Sequence, residues 1–158
     1  MLILYGHSTI SFYGVMSMEV SMTASPQLFS YIGIEPKSDF ELARMTEEGL
    51  PLDSIVSLKD HGLTFTEISD IIISPRTLKH RKSRREPLSN EETDHVVRVA
   101  SLLSMAEDIF GSRKKALAWL RAKDDRLENR TPLQMLSTES GGRLIENMLW
   151  QIDEGAFS

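Results

Sequence analysis

The chain has 158 residues and no cysteine, which excludes disulfides and thiolate metal sites. A reducing cytoplasm is the simplest setting for such a protein. No apolar run approaches the roughly 20 residues that span a bilayer, so no membrane segment is expected. No glycine-rich phosphate loop and no serine elbow occur. The histidines His7, His61, His80 and His95 lack metal-ligand spacing. The adjacent carboxylates Asp124 and Asp125 lie in a polar loop, where such pairs are ordinarily solvated. No catalytic constellation, metal or cofactor is therefore expected. Positive charge goes uncompensated in one place only. The formal charge is −5, but residues 1–75 carry −7, residues 76–85 carry +6, residues 86–138 carry −1 and residues 139–158 carry −3. An acidic chain with one basic patch concentrates phosphate binding on a single element.

That element is Ser74–Arg85, with six Lys or Arg in twelve residues. Ser74 suits an N-cap, and Pro75 suits the first helical position, where its missing N–H costs nothing. A solvated helix face is the plain alternative, but six cations in ten residues repel one another unless an anion is near. Just upstream, Thr64-Phe-Thr-Glu67 is a capping box that opens a short helix containing Ile68, Ile71 and Ile72. Two short helices joined abruptly, the second one basic, make the pattern of a helix-turn-helix whose second helix enters the major groove. The turn Ile71-Ile72-Ile73-Ser74 has no glycine, so it must be tight without a left-handed residue. A dimer on a two-fold operator would place Arg76, Thr77, Lys79 and His80 nearest the bases. Arg81, Lys82, Arg84 and Arg85 would mainly reach phosphates.

Residues 1–36 read as an extended or flexible arm. Gly6, Gly14, Ser25-Pro26, Gly33 and Pro36 interrupt helix there, and no basic start marks a secretory signal. Met16, Met18 and Met22 are alternative starts. Leu28, Phe29, Tyr31 and Ile32 are the arm residues able to dock on the body or on a second copy. Ser38-Asp-Phe-Glu41 is a capping box for a helix carrying Phe40, Ala43 and Met45, closed by Gly49. Pro51 begins the next, with Leu52, Ile55, Val56 and Lys59 on one face. Ser89-Asn-Glu-Glu92 opens the longest helix, which runs about 20 residues to Gly111. Its apolar positions Val96, Val99, Ala100, Leu103, Ala106 and Phe110 fit a central strut or a dimer seam. Ser112–Lys123 holds a further helix, and Thr131-Pro-Leu-Gln134 caps a short one. The last helix runs from Thr138 to Gly155, with Leu144, Ile145, Met148, Leu149 and Ile152 as its buried stripe. Gly141 and Gly142 in its first turn each cost roughly 1 kcal/mol against alanine, which suggests close backbone packing.

Trp119 shares helical spacing with Ala116 and Leu120 and reads as core. Trp150 lies off the buried stripe, on a face with Arg143, Asn147 and Glu154. A large aromatic among polar side chains suits an interface anchor, with packing on a neighbouring helix as the alternative.

The order of signals is informative. Ser74-Pro-Arg-Thr-Leu-Lys-His-Arg, Leu88-Ser-Asn-Glu-Glu and Ala106-Glu-Asp-Ile-Phe-Gly111 resemble the Xre-type antitoxins that pair with RES-domain toxins. Ala116-Leu-Ala-Trp-Leu, Asn129-Arg-Thr-Pro-Leu, Leu136-Ser-Thr-Glu-Ser-Gly141 and Ile152-Asp-Glu-Gly155 resemble the toxin-binding domain of the MbcA/ParS/Xre antitoxins. The resemblance spans roughly residues 38–155 and rests on order and spacing together. It implies an all-α fold, with a helix-turn-helix domain and its long connecting helix over 37–111 and a toxin-binding domain over 112–158; the arm over 1–36 lies outside the resemblance. It implies a cytoplasmic, non-enzymatic bacterial type II antitoxin, a homodimer within a larger hetero-oligomer. Its partners would be operator DNA and a RES-domain toxin that consumes NAD+ or transfers ADP-ribose from it. The expected toxin-binding residues are Asn129, Arg130, Leu133, Arg143, Asn147, Trp150, Asp153 and Glu154. A stand-alone helix-turn-helix regulator with a C-terminal dimerisation or sensing module is the other reading of the same residues.

Overall fold

Side-chain caps set the helix boundaries across residues 26–155, the span that the computed structural model describes. The helices are α1 (Pro26–Ile32), α2 (Asp39–Glu48), α3 (Asp53–Asp60), α4 (Phe65–Ile71), α5 (Pro75–Arg84), α6 (Asn90–Phe110), α7 (Arg113–Arg121), α8 (Pro132–Met135) and α9 (Glu139–Gly155). A 3-10 turn at Asp125–Leu127 and an antiparallel bridge between Asp124 and Arg130 shape the loop after α7. Among the described residues there is no strand, as the all-α expectation requires.

Thr64, Ser89 and Thr131 close full capping boxes with Glu67, Glu92 and Gln134. Ser38 completes only half of one. Its hydroxyl accepts from Glu41 N–H, but the Glu41 carboxylate accepts from the N–H of Lys37 instead. Gly111, at φ 72°, ends α6 in the left-handed conformation that glycine adopts without a Cβ clash.

Helix α6 is the strut on which the rest is assembled. Helices α1, α2, α3, α7 and α9 all pack on it. Val96, Val99, Ala100, Leu103 and Ala106 are fully enclosed, and Phe110 is partly buried against the ring of Trp119, with 5.6 Å between centroids. The Thr93 hydroxyl accepts from Leu50 N–H at 3.0 Å, while Leu50 C=O accepts from Leu88 N–H at 2.9 Å. These bonds fasten the chain before α3 to the end of the α5–α6 connection and to the first turn of α6. One continuous apolar core runs from Leu28 to Leu149.

Several expectations are corrected. The arm does not extend to residue 36, because residues 26–32 form α1, with Leu28, Tyr31 and Ile32 buried in the core. Their spacing of three and four is helical, and Gly33 at φ 67° permits the turn that ends the helix. Tyr31 O–H donates to Glu107 Oε2, and Arg113 Nε donates to Tyr31 Oη at 3.3 Å. The remainder of the expected arm, residues 1–25, lies outside the described residues. In α2 the buried side chain is Leu42, and Met45 is half-buried, while Ala43 is exposed and Phe40 is 80% exposed. Helix α3 starts at Asp53 and turns Ser54, Ile55 and Leu58 inward, leaving Val56 exposed. In α9, Ile145, Met148 and Leu149 are buried, but Leu144 is exposed and Ile152 is half-buried. In α2 and α3 the buried face is turned from the expected one, while in α9 the expected stripe holds at Ile145, Met148 and Leu149 and fails only at its edges; apolar composition alone does not fix helical phase.

The expectation of close backbone packing holds at Gly141, while at Gly142 the close neighbour is a side chain. A Cβ on Gly141 would overlap the Met135 carbonyl oxygen, and one on Gly142 would lie 2.6 Å from Arg98 Cδ. The backbone of α9 thus touches α8 and α6 where a side chain would hold it off.

Candidate functional site

The basic element is α5. Ser74 Oγ accepts from Thr77 N–H at 3.2 Å, and Pro75 occupies the first turn. The preceding turn is made without glycine: Ile72 has φ −113°, ψ −60°, and Ile71, Ile72 and Ile73 are all buried. Buried isoleucines therefore fasten the start of α5. At its end, Arg85 adopts φ 55°, and Arg81, Lys82 and Arg84 stand in the last turn, where cations favour the helix dipole.

Helix α5 buries none of its residues. Arg76, Lys79, His80, Lys82, Arg84 and Arg85 are exposed. Arg76, Lys79 and His80 lie at i, i+3 and i+4 on one outward face. Arg84 pairs loosely with Glu86 at 3.8 Å. Two expected contact residues sit differently. Thr77 is half-buried, with its hydroxyl 2.8 Å from Ser74 Oγ. Arg81 points inward: its Nε lies 2.7 Å from Glu92 Oε2, and its NH1 donates to Pro87 C=O at 3.2 Å. A guanidinium already paired with a carboxylate and largely covered is not presented to a phosphate, so the phosphate role expected for Arg81 is corrected.

The residues expected to bind a protein partner divide into two groups. Asn129 and Arg130 are exposed in the loop before α8, which turns through left-handed residues at Glu128 and Asn129. Arg130 donates to Leu127 C=O at 3.3 Å. Leu133, expected at the interface, is 3% exposed and belongs to the core. On α9, Arg143, Asn147, Trp150 and Glu154 are exposed and Asp153 is half-buried. Arg143 pairs with Glu139 one turn earlier. Helix α8 meets α9 at Gly141, and Trp150 lies nine residues further on, roughly 14 Å along the axis. Trp150, Asp153 and Glu154 therefore lie far along α9 from the α8 junction, whereas Arg143 stands two residues after it.

Reading the sequence alone missed a clasp between the helix-turn-helix and the C-terminal helices. Arg121 Nε donates to Glu67 Oε1 at 2.6 Å, and its NH2 donates to Glu67 Oε2 and to Gly62 C=O, both at 2.8 Å. Glu67 Oε2 also accepts from Thr64 N–H at 2.7 Å, so one carboxylate caps α4 and holds α7. Burial pushes the Glu67 carboxyl up, but the Arg121 hydrogen bonds, helped by the Thr64 N–H, outweigh it and hold it below the usual carboxylate range. Beside the clasp is an open groove of about 590 Å³ between α4 and α8, lined by Asp70, Ile71, Arg130, Gln134 and Ser137 among others. The only sequence signal was the capping box that marked Glu67; nothing in it marked Arg121 as the partner.

The Asp124-Asp125 pair is a structural turn. Arg126 donates to both oxygens of Asp124, at 3.0 and 2.7 Å, and holds that carboxyl below the usual range. Among the described residues no group of His, Asp and Glu could hold a metal ion, and no helix is long and apolar enough to cross a membrane.

Comparison with known proteins agrees with this layout. Residues 41–101 match the antitoxin Xre-like helix-turn-helix domain, and residues 105–155 match the antitoxin Xre/MbcA/ParS C-terminal toxin-binding domain. The two matches meet inside α6. The chain is 40% identical over 121 residues to an antitoxin Xre of Pseudomonas putida, covering 77% of this chain and 76% of that protein. It is 30% identical over 139 residues to an antitoxin Xre of Photorhabdus laumondii, covering 85% and 93% respectively. A protein of a Sphingobium species named Prs ADP-ribosylating antitoxin is 28% identical over 91 residues, covering 52% of this chain and 57% of its own length. The chain therefore belongs to the Xre family of antitoxins of toxin–antitoxin modules, non-enzymatic proteins that join a helix-turn-helix domain to a toxin-binding domain.

Proposed function

We propose that this antitoxin neutralises a RES-domain toxin that consumes NAD+ and represses its own operon as a dimer through α4 and α5. The helix-turn-helix domain covers residues 37–111, joined by α1, and the toxin-binding domain begins at residue 112. The observation that carries the DNA side of the reading is α5 itself. It fully buries no residue, yet the helix and its C-cap hold five exposed cations, Arg76, Lys79, Lys82, Arg84 and Arg85, of which only Arg84 has a described carboxylate within ion-pairing distance, and that at 3.8 Å. Such a helix holds to the core mainly through the half-buried Leu78 and leaves its charge available to an anion; a helix entering the major groove does the same. Arg76, Lys79 and His80 take the base edges, and Lys82, Arg84 and Arg85 take phosphates.

On the toxin side, an inhibitor that modifies nothing must cover the substrate entrance with a stable interface, typically about 1,600 Å² in total. The exposed face of α9 with Trp150, and the Asn129–Arg130 loop, form that surface. A pocket for NAD+ phosphates is electropositive, and Asp153 and Glu154 complement its rim. The name of the Sphingobium relative supports a toxin that uses NAD+ as an ADP-ribose donor. The test is co-expression with the neighbouring toxin gene, scored for growth, beside NAD+ consumption by purified toxin titrated with this chain. Restored growth and NAD+ turnover falling to baseline at a fixed stoichiometry are expected. Undiminished turnover at saturating antitoxin would sink the toxin assignment.

A further inference from the structure

We infer that Arg81 and Glu92 form the clamp that sets the angle of α5, making both positioning residues for DNA recognition although neither is presented to DNA. The inference rests on the reading of α5 as the recognition helix. Helix α5 fully buries no residue, and its hydrophobic hold on the body is the half-buried Leu78 near its start. Its start is fixed by the turn through Ile73 and Ser74. Its far end departs through the left-handed Arg85, and the cations along it repel one another. Something must tie down that end, and Arg81 is placed to do so. Its side chain is 21% exposed, against 63% for Arg84. Its guanidinium reaches Glu92 at 2.7 Å and the Pro87 carbonyl at 3.2 Å, linking α5, the connection and α6.

Glu92 makes a rigid pedestal. It is 13% exposed, and its Oε2 accepts from Ser89 N–H at 2.8 Å, closing the capping box of α6. The carboxylate is therefore fixed to the strut before Arg81 arrives. An ion pair shielded from water is stronger than an ordinary surface pair. Held this way, α5 reaches DNA already oriented, and binding does not have to supply the ordering.

The experiment compares the full chain with Glu92→Gln, Arg81→Lys and the double variant Arg84→Ala/Arg85→Ala. The probes are the duplex upstream of its own coding sequence and an unrelated duplex of equal length. Glutamine keeps the capping role of position 92 and removes only the charge. Lysine keeps the charge of position 81 and removes the fork. Both single variants should lose about tenfold in affinity for the upstream duplex. Glu92→Gln should bind the unrelated duplex as well as the parent or better, because the chain has lost a negative charge. The double variant should weaken on both duplexes alike. Hydrogen exchange on the free protein should show α5 amides losing protection in Glu92→Gln while α6 keeps its own. Parent-like or tighter binding of the upstream duplex by Glu92→Gln, with α5 protection unchanged, overturns the clamp. A parent with no preference between duplexes overturns the recognition-helix reading instead, and the exchange data then decide the clamp on their own.

Discussion

Trp150 is 48% exposed on α9, flanked along its face by Arg143, Asn147 and Glu154. An indole at half exposure leaves apolar surface in water and keeps an N–H donor at its edge, which is how interface anchors are built. Truncating it to alanine should weaken the toxin complex by at least about 2 kcal/mol. Calorimetric titration of toxin with the variant measures this, and circular dichroism verifies that the helices persist. A folded variant that binds like the parent moves the anchor to the Asn129–Arg130 loop. Single residues also show where reading the chain alone fails. Leu133 and Arg81 are both expected contact residues, one through the family resemblance and the other as a cation in a basic run. The fold buries the first and pairs the second with Glu92. Which face of a short helix turns inward depends on neighbours distant in sequence.

At the scale of elements, α1 has moved from arm to core. Leu28, Tyr31 and Ile32 are each buried at 5% exposure or less. At roughly 1.5 to 3 kcal/mol per large apolar side chain, a chain beginning at Lys37 should lose about 4 kcal/mol or more of stability. Urea denaturation compares it with a chain beginning at Pro26; equal midpoints would return α1 to the status of an appendage. The latch of α1 is also sensitive to alkali. Burial, then the Glu107 hydrogen bond, pushes the Tyr31 hydroxyl up to about 12, with Arg113 opposing. A folded value above the unfolded value of about 10 means stability fully present below pH 10 and lost as pH rises towards 12. Replacing Tyr31 with phenylalanine should remove that alkaline loss from the unfolding curve.

For the whole molecule, α6 serves both halves, and a single core spans them. The Glu67–Arg121 clasp adds a polar tie between the first helix of the helix-turn-helix and α7. Because the Glu67 carboxyl is lower in the folded protein than unfolded, its stabilisation is present above the unfolded carboxylate value, about 4.3. It is lost as pH falls through the folded value beneath that. Denaturant midpoints between about pH 5 and pH 2 should therefore fall more steeply for the parent than for Arg121→Gln. Parallel acid profiles would show that the clasp contributes nothing measurable.

The sequence by itself determined the helical class, most helix starts, the long strut and the basic helix. These follow from local chemistry: Ser or Thr before Glu or Gln, proline in first turns, glycine at Gly111, and charge spacing. It also marked Gly141 and Gly142, because glycine in a helix is unfavourable unless something approaches closely. The rotation of α2 and α3, the docking of α1, the inward turn of Arg81 and the pairing of Glu67 with Arg121 came from tertiary packing alone. Each of these depends on contacts between residues far apart along the chain. A one-residue change of phase is nearly neutral for an isolated helix, but in the core it exchanges a buried side chain for an exposed one.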